Sequence, residues 1–303
     1  MPIETLKMNL PKFLDNHPQL IYLDNNHTLN NAKIKIKDNH LTFKGENEFF
    51  VVINNYNQEK VIDLTVSKNQ TLRVNLLIYN SKAINLNFNI YVEDNASLTL
   101  YTNFTSSRKT KLSISRNFFL KDNAYLRSLN AITYNGNLEL NDNFFLVGLN
   151  AKLEVEQLNI GSKENVYKIK QQAFHQEKST LSTINNNLIT TDMAKMDYKV
   201  IGSIAKGKEF SKCSQNNKGI MLSNESEIAV EPTLFIDEYN VEANHGAAIG
   251  QIDELQLYYL LSRGLSETEA KGLIISGYTN PFINKVENVF LQKQLIQRIS
   301  RLI

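Results

Sequence analysis

The chain has 303 residues, of which 42% are hydrophobic and 21% are charged, as is ordinary for a folded globular protein. Its 33 basic and 31 acidic side chains leave a formal net charge of +2, which excludes a strong field for nucleic acid or anionic membranes. No segment approaches the roughly 20 apolar residues of a membrane span, and the first residues lack the apolar core of a signal peptide. The single cysteine, Cys213, excludes an internal disulfide framework and fits a reducing compartment, so we expect a cytoplasmic protein.

From about residue 20 to residue 245, short apolar or alternating runs are separated by Asn, Asp and Gly. The clearest run is 84–92, in which every second residue is apolar. Alternation with a period of two, combined with β-branched and aromatic residues, predicts strands. No proline lies between Pro18 and Pro232, so long uninterrupted β structure is compatible with this region.

A weak internal repeat indicates how these strands are arranged. The segment 94–98, Asp-Asn-Ala-Ser-Leu, recurs as 122–126 and again as 149–153, and 179–181 continues the spacing. The small residue of the motif advances by 28 and then by 27 positions. A turn followed by a strand at fixed spacing favours stacked coils, that is, a right-handed parallel β-helix. The alternative is a meander or sandwich whose hairpins are evenly spaced.

The periodicity becomes helical after residue 250. A first helix is predicted over 253–262, and Ser266 with Glu269 forms a capping box for a second helix that ends at Gly277. Asn280 followed by Pro281 then predicts the start of a third helix. Its apolar face is predicted to comprise Val286, Val289, Phe290, Leu295 or Ile296, Ile299 and Leu302. The chain is thus divided into a short N-terminal segment (1–20), a β-helix core (21–250) and a small C-terminal α-helical domain (251–303).

The sequence lacks the motifs of several common sites. None of its five histidines belongs to an HExxH or CxxC-type zinc pattern, and neither a phosphate-binding loop nor a GxSxG elbow is present. Cys213 follows Lys212 but has no histidine nearby in sequence, so we interpret it as a structural thiol.

His245 is the most informative histidine because the small residues Gly246 and Ala247 follow it and leave its ring uncrowded. At an exposed corner such a ring has a nitrogen to offer to a metal or a proton. The alternative is a corner residue that hydrogen-bonds its own backbone. Glu231 and Asp237 are interpreted as solvated charges at strand edges.

Several linked motifs follow one another in the last third of the chain, at 198–204, 215–223, 231–236, 245–253 and 259–264. In this order they resemble the SufB/SufD family, the scaffold proteins of iron–sulfur cluster assembly. SufB-type chains carry His-Glu-Ala where this sequence reads His245-Gly246-Ala247, and they carry cysteines at positions that align with about Asn217 and Ser226. The sequence therefore resembles the SufD branch.

The resemblance implies a non-catalytic scaffold subunit of a SufBCD-type complex. It implies pairing with a SufB-like protein through the β-helix edge, and binding of a SufC-like ATPase through the C-terminal helices, with Tyr258, Tyr259 and Arg263 as contacts. His245 would act as a metal ligand or proton shuttle at the SufB-like interface. His175 resembles a histidine of the family's central coils. No cofactor is expected to bind this chain stably, although an iron–sulfur cluster would form transiently at the partner interface.

Two alternatives stay open at this point. A SufB-like scaffold that works as a homodimer would need the cysteines that are replaced here at Asn217 and Ser226. A β-helix enzyme acting on carbohydrates would need clustered acids on a strand face and a secretory signal, and neither is apparent.

Overall fold

The structure, a computed structural model, describes residues 14, 17–24, 28–32, 34–37, 39–45, 48–56, 61–106 and 108–302. Strands make up 57% of it and form a parallel β-solenoid of about eight turns, which three helices follow. The predicted fold class, mainly β with stacked coils and a C-terminal helical region, is therefore confirmed. Most of the predicted N-terminal segment, residues 1–20, lies outside the described residues.

The strands belong to two sheets. Sheet A comprises β1 (Leu20–Leu23), β2 (Thr28–Asn30), β5 (Glu48–Asn54), β7 (Thr71–Asn80), β9 (Ser97–Ser106), β11 (Tyr125–Ile132), β13 (Lys152–Gly161), β15 (Leu181–Thr190), β17 (Lys212–Met221) and β19 (Glu242–Gln251). Sheet B comprises β3 (Lys35–Lys37), β4 (His40–Phe43), β6 (Ile62–Val66), β8 (Ile84–Val92), β10 (Thr110–Leu120), β12 (Gly136–Leu146), β14 (Val166–His175), β16 (Lys195–Ile204) and β18 (Glu227–Ile236).

Each coil contributes one strand to each sheet, and successive coils pair in parallel.

The two ends of the solenoid differ in how their strands pair. At its start, β2 pairs antiparallel with β1, and β3 pairs antiparallel with β4. At its end, β18 and β19 are the terminal strands of sheets B and A, and each pairs with a neighbour on one side only. The last coil is therefore the uncovered end of the described solenoid.

The corners explain the internal repeat. Asn95, Asn123, Asn150 and Ser179 all have positive φ angles, between 53° and 58°. Asparagine tolerates this left-handed conformation better than most residues. The Asn123 side chain also donates to Asn95 and accepts from Asn150, both at 3.1 Å. The residue that follows each corner is fully buried, so the repeat of turn and strand is confirmed.

The interior between the sheets is largely apolar but also contains buried polar side chains. One group of them is centred on an ion pair between Arg116 and Asp142, both completely buried. Two hydrogen bonds of 2.7 and 2.5 Å join the guanidinium to the carboxylate. Thr102 and Asn130 accept two further bonds from Arg116 at 3.0 and 3.1 Å.

The C-terminal helices are α1 (Glu254–Ser262), α2 (Glu267–Ile283) and α3 (Val289–Leu302). The predicted capping box of Ser266 and Glu269 is present at the start of α2. The predicted end at Gly277 is wrong, because α2 continues to Ile283 with Pro281 inside it. Phe282 and Ile283 are buried in an apolar cluster that includes residues of sheet A. That burial offsets the roughly 3 kcal/mol that an interior proline costs a helix.

The third helix therefore begins later than predicted. The Asn288 side chain caps it by accepting from the backbone amides of Phe290 and Leu291, both at 3.2 Å. Leu291, Leu295 and Ile299 form its buried face. The predicted face is wrong at Val289, which is 61% exposed; of the alternatives Leu295 and Ile296, Leu295 is the buried one. No helix among the described residues is both long and apolar enough to span a membrane.

Candidate partner interface at the last coil

The last coil exposes two ten-residue strands, β18 and β19. A strand of an earlier coil such as β15 alternates buried and partly buried side chains, whereas neither β18 nor β19 contains a buried residue. In β18, Phe235 is 58% exposed. The side chains of β18 and β19 are exposed because these strands end the two sheets, and no further coil packs on them within the described residues.

The direction of the backbone amides distinguishes the two free edges. In β19, the backbone N–H of Glu242 donates to the backbone carbonyl of Ser211 on the neighbouring coil at 3.1 Å. Because successive amides point to opposite sides of a strand, those of Ala243, His245 and Ala247 point away from β17, toward the open edge. These outward donors are the groups that an added strand would bind.

The corresponding edge of β18 is interrupted. The N–H of Glu227 donates to Ala194 at 3.0 Å, so the even-numbered residues of β18 would direct their amides outward. Pro232 occupies one of these outward positions and has no N–H. Proline is confined to such edge positions in sheets, where it prevents pairing. Strand addition is therefore favoured at β19 over the middle of β18.

His245 lies in the middle of β19, not at a corner as predicted. It is in register with Gln215 of β17 and its side chain is exposed. The run of small residues looks like a turn in the sequence, but ladder bonds to β17 hold it extended. Among the described residues, the His245 ring has no hydrogen-bond partner, and a Cβ at Gly246 would contact nothing within 4 Å. The packing of this chain therefore does not require glycine beside His245.

A buried chain of amide side chains ends beside His245. Gln171 donates to Gln157 at 3.1 Å, Asn186 donates to Gln171 and to Asn217, both at 2.8 Å, and Asn217 donates to the Gly246 carbonyl at 3.1 Å. Sequence reasoning missed this chain. Its signal is a polar residue at the same inward position of β13, β15 and β17, where apolar residues are expected.

Asn217 and Ser226, where SufB-type cysteines would align, are both buried. Asn217 belongs to the amide chain, and the Ser226 hydroxyl donates to the Ser223 carbonyl at 3.0 Å. The one cysteine, Cys213, is 1% exposed, and burial raises the pKa of its thiol. A buried thiol that is hard to ionise has little nucleophilic character, which agrees with its interpretation as structural.

His175 lies in the core, near Cys213. Its Nδ1 is 2.7 Å from the Thr180 hydroxyl and its Nε2 is 2.8 Å from the Ser182 hydroxyl. Burial lowers the pKa of His175 to about 4. Both ring nitrogens are therefore engaged, and neither is available to a metal in this conformation.

The other residues singled out in the sequence lie on the surface. Tyr258 and Tyr259 are 71% and 56% exposed on α1, a helix with no buried residue. The Arg263 guanidinium lies 5.2 Å from the centre of the Tyr259 ring. Glu231 forms an exposed ion pair with Lys199 at 3.3 Å, and Asp237 is exposed just after β18. Within the part of the chain that the structure describes, no three His, Cys, Asp or Glu side chains converge as a metal site.

The comparisons with known proteins agree with this architecture. The family model described as "SUF system FeS cluster assembly, SufBD core domain" matches residues 51–278, more than half of the chain. The chain belongs to the SufB/SufD family. The "Iron-sulfur cluster assembly protein SufD" of Bacillus subtilis is 33% identical over 142 residues, which are 47% of this chain and 32% of that protein.

A second relative with the same name, from Escherichia coli, is 24% identical over 156 residues, 52% of this chain and 37% of the relative. An "Iron-sulfur cluster assembly SufBD family protein" of Synechocystis is 27% identical over 170 residues, 51% of this chain and 38% of the relative. The relatives named SufD support the SufD type. The matched region spans about one third of the length of these curated relatives.

Proposed function

We propose that this chain is a non-catalytic, SufD-like scaffold subunit for iron–sulfur cluster assembly that pairs with a SufB-like protein and binds a SufC-like ATPase. The observation that carries the proposal is the uncovered last coil. Its β19 edge presents a row of outward amides, whereas antiparallel strands bound the other end of the solenoid. An exposed strand edge is a template for pairing with another chain.

The same edge gives His245 its proposed role. A partner strand that pairs with β19 would lie beside the His245 ring, which has no hydrogen-bond partner among the described residues. There His245 would serve as a ligand of the nascent cluster or as a proton shuttle, while the partner supplies thiolates. Iron–sulfur sites use thiolates with occasional imidazole. The cluster is the cargo of this reaction and binds only transiently.

The proposed contact with the ATPase is the exposed side of α1. Tyr258 and Tyr259 present large aromatic surfaces to solvent, and Arg263 adds a charged group next to them. Tyrosine and arginine are enriched among the residues that dominate protein–protein binding energy. Since α1 has no buried residue, its side chains are not required to hold the fold together.

The pairing is tested by co-expressing the chain with SufB-like and SufC-like proteins. Ala247→Pro removes one outward amide of β19 and leaves the amides that bind β17, so it should abolish co-purification of the SufB-like protein. Ala247→Ser keeps the amide and serves as the matched control. Normal pairing by the proline variant would overturn the strand-edge interface. Self-association of the chain through the same edge, without the partner, would support the homodimeric alternative.

The roles of individual residues are tested in the same complex. His245→Ala should leave assembly intact and lower the anaerobic cluster content, whereas His40→Ala, far from this edge, should change neither. Unchanged cluster content in His245→Ala would overturn the role of His245. Tyr258→Ala with Tyr259→Ala should release the ATPase, and Gln256→Ala on the same helix should not.

A further inference from the structure

A second surface feature, which shares no lining residue with β18 or β19, is a groove of about 440 Å³ between α3 and the solenoid. Arg298 and Arg301 line it from the last turns of α3, and Lys163 lines it from the turn that follows β13. Thr105, Thr133 and Ser162 contribute hydroxyl groups. No carboxylate is among the described residues that line the groove.

The charge of these three cations is not compensated. Elsewhere on the solenoid, lysines pair with a glutamate at the same position of the next coil, as Lys195 does with Glu227 and Lys212 with Glu242, both at 2.7 Å. Within the described chain, no carboxylate oxygen lies within 4 Å of the charged nitrogens of Lys163, Arg298 or Arg301.

Two acids lie close to Lys163 in the chain or by hydrogen bonding. Glu164, next to Lys163 in sequence, pairs with Lys109 at 2.5 Å. The Asp192 carboxylate accepts the backbone amide of Lys163 at 2.6 Å and keeps its charge. Neither acid forms an ion pair with the Lys163 ammonium group, and neither lines the groove.

The environment of Arg298 is also consistent with an unpaired charge. Burial raises the pKa values of Tyr79 and Tyr101, and the positive charge of Arg298 opposes the rise. Its close neighbours thus include phenols rather than carboxylates. Cations in the last turn of a helix interact favourably with the helix dipole, and this interaction stabilises the charge of Arg301. It does not account for Lys163, which comes from the solenoid.

The solenoid side of the groove contains an unsatisfied donor. The hydroxyl oxygen of Thr133 is buried and has no hydrogen-bond partner among the described residues. A buried polar group without a partner is costly, and rotation of the Thr133 side chain toward an acceptor bound in the groove would remove that cost. Three cations and a free hydroxyl together have the chemistry of an oxyanion site, since charge-assisted bonds to phosphate are strong.

We propose that this groove binds a phosphate group, either as inorganic phosphate or as part of a nucleotide. Lys163, Arg298 and Arg301 supply the positive charge, and Thr133 donates a hydrogen bond. The proposal is independent of the partner interface at β19 and of the contact at α1.

The test is calorimetric titration of the purified full chain with inorganic phosphate at low ionic strength. We expect saturable binding of one phosphate per chain. Lys163→Gln with Arg301→Gln should weaken it at least about tenfold. Both side chains are exposed, so the double variant should fold normally. The matched control is Lys152→Gln with Lys206→Gln, two exposed lysines that have no ion pair among the described residues and should leave the affinity unchanged.

Thr133→Val tests the hydroxyl separately. It should leave the melting temperature of the free protein unchanged or raise it, and weaken phosphate binding about two- to tenfold. Tighter binding of ADP or ATP than of phosphate would identify the phosphates of a nucleotide as the ligand, and equal or weaker binding would identify the free oxyanion. Absence of saturable phosphate binding, or an equal loss in the lysine control, would overturn the proposal.

Discussion

The buried ion pair of Arg116 and Asp142 yields a quantitative prediction. Asp142→Asn keeps the shape of the side chain but removes the charge that compensates Arg116. The guanidinium would keep its bonds to Thr102 and Asn130, yet it would be left as an unpaired charge in an interior with no exposure to water. Leaving one member of a buried pair uncompensated costs about 3–5 kcal/mol.

The double substitution Arg116→Met with Asp142→Leu should cost less than Asp142→Asn alone. It removes both charges together, so no buried charge stays unpaired. The remaining cost is the loss of partners for Thr102 and Asn130, two neutral groups whose unsatisfied burial costs less than that of a full charge. The two substitutions should therefore be strongly non-additive.

Both effects can be measured by urea denaturation followed by far-ultraviolet circular dichroism. At about 2 °C per kcal/mol for a chain of this size, Asp142→Asn should also lower the melting temperature by roughly 6–10 °C. Asp197→Asn makes the same change at an exposed position of sheet B and should stay within about 0.5 kcal/mol of the wild type. A loss of less than about 1 kcal/mol for Asp142→Asn would refute the view that this pair is shielded from water.

Three further predictions concern stability. Asn123→Ala should lower the free energy of unfolding by about 1–2 kcal/mol because alanine is strained at a φ of 53°, whereas Asn123→Gly should cost less; equal losses would contradict this reason. Phe145→Ala should cost about 2 kcal/mol in denaturant unfolding, since its ring stacks between Phe119 and Phe174 at 5.1 Å from each; a neutral effect would show that this ladder adds nothing. The folded pKa of His175, about 4, lies below its ordinary value of 6.5, so stability should fall as the pH drops from about 6.5 to 4, by roughly 3 kcal/mol in total. His175→Gln should remove that part of the pH dependence in denaturation series, and an unchanged profile would contradict the assignment.

The sequence predicts the solenoid well because the signals that define it are local. The corner asparagines are visible by type and spacing, and each adopts the left-handed conformation that its residue type allows. The alternation in 84–92 likewise coincides with β8, whose apolar residues face the interior. The resemblance of the last third of the chain then identifies the family.

The errors arise where tertiary contacts outweigh local preference. Gly277 and Pro281 are ordinary signals for the end of one helix and the start of another, but the burial of Phe282 and Ile283 against sheet A keeps α2 continuous. His245 was expected at a corner because small residues follow it. In the structure, pairing with β17 makes the same residues part of a strand.

The free edge could not be identified from the sequence, because which strand lies last in a sheet is a property of the whole topology. Its composition is nevertheless informative once the topology is known. A protein that leaves an edge strand permanently exposed usually protects it with lysine, proline or a bulge. β18 has Pro232 at an outward position, whereas β19 contains neither lysine nor proline and is rich in small residues. In an isolated chain, an unprotected edge of ten residues favours aggregation through its unpaired backbone groups. An interface that pairs with a partner strand needs such an edge, and this difference from β18 favours β19 as the site of assembly.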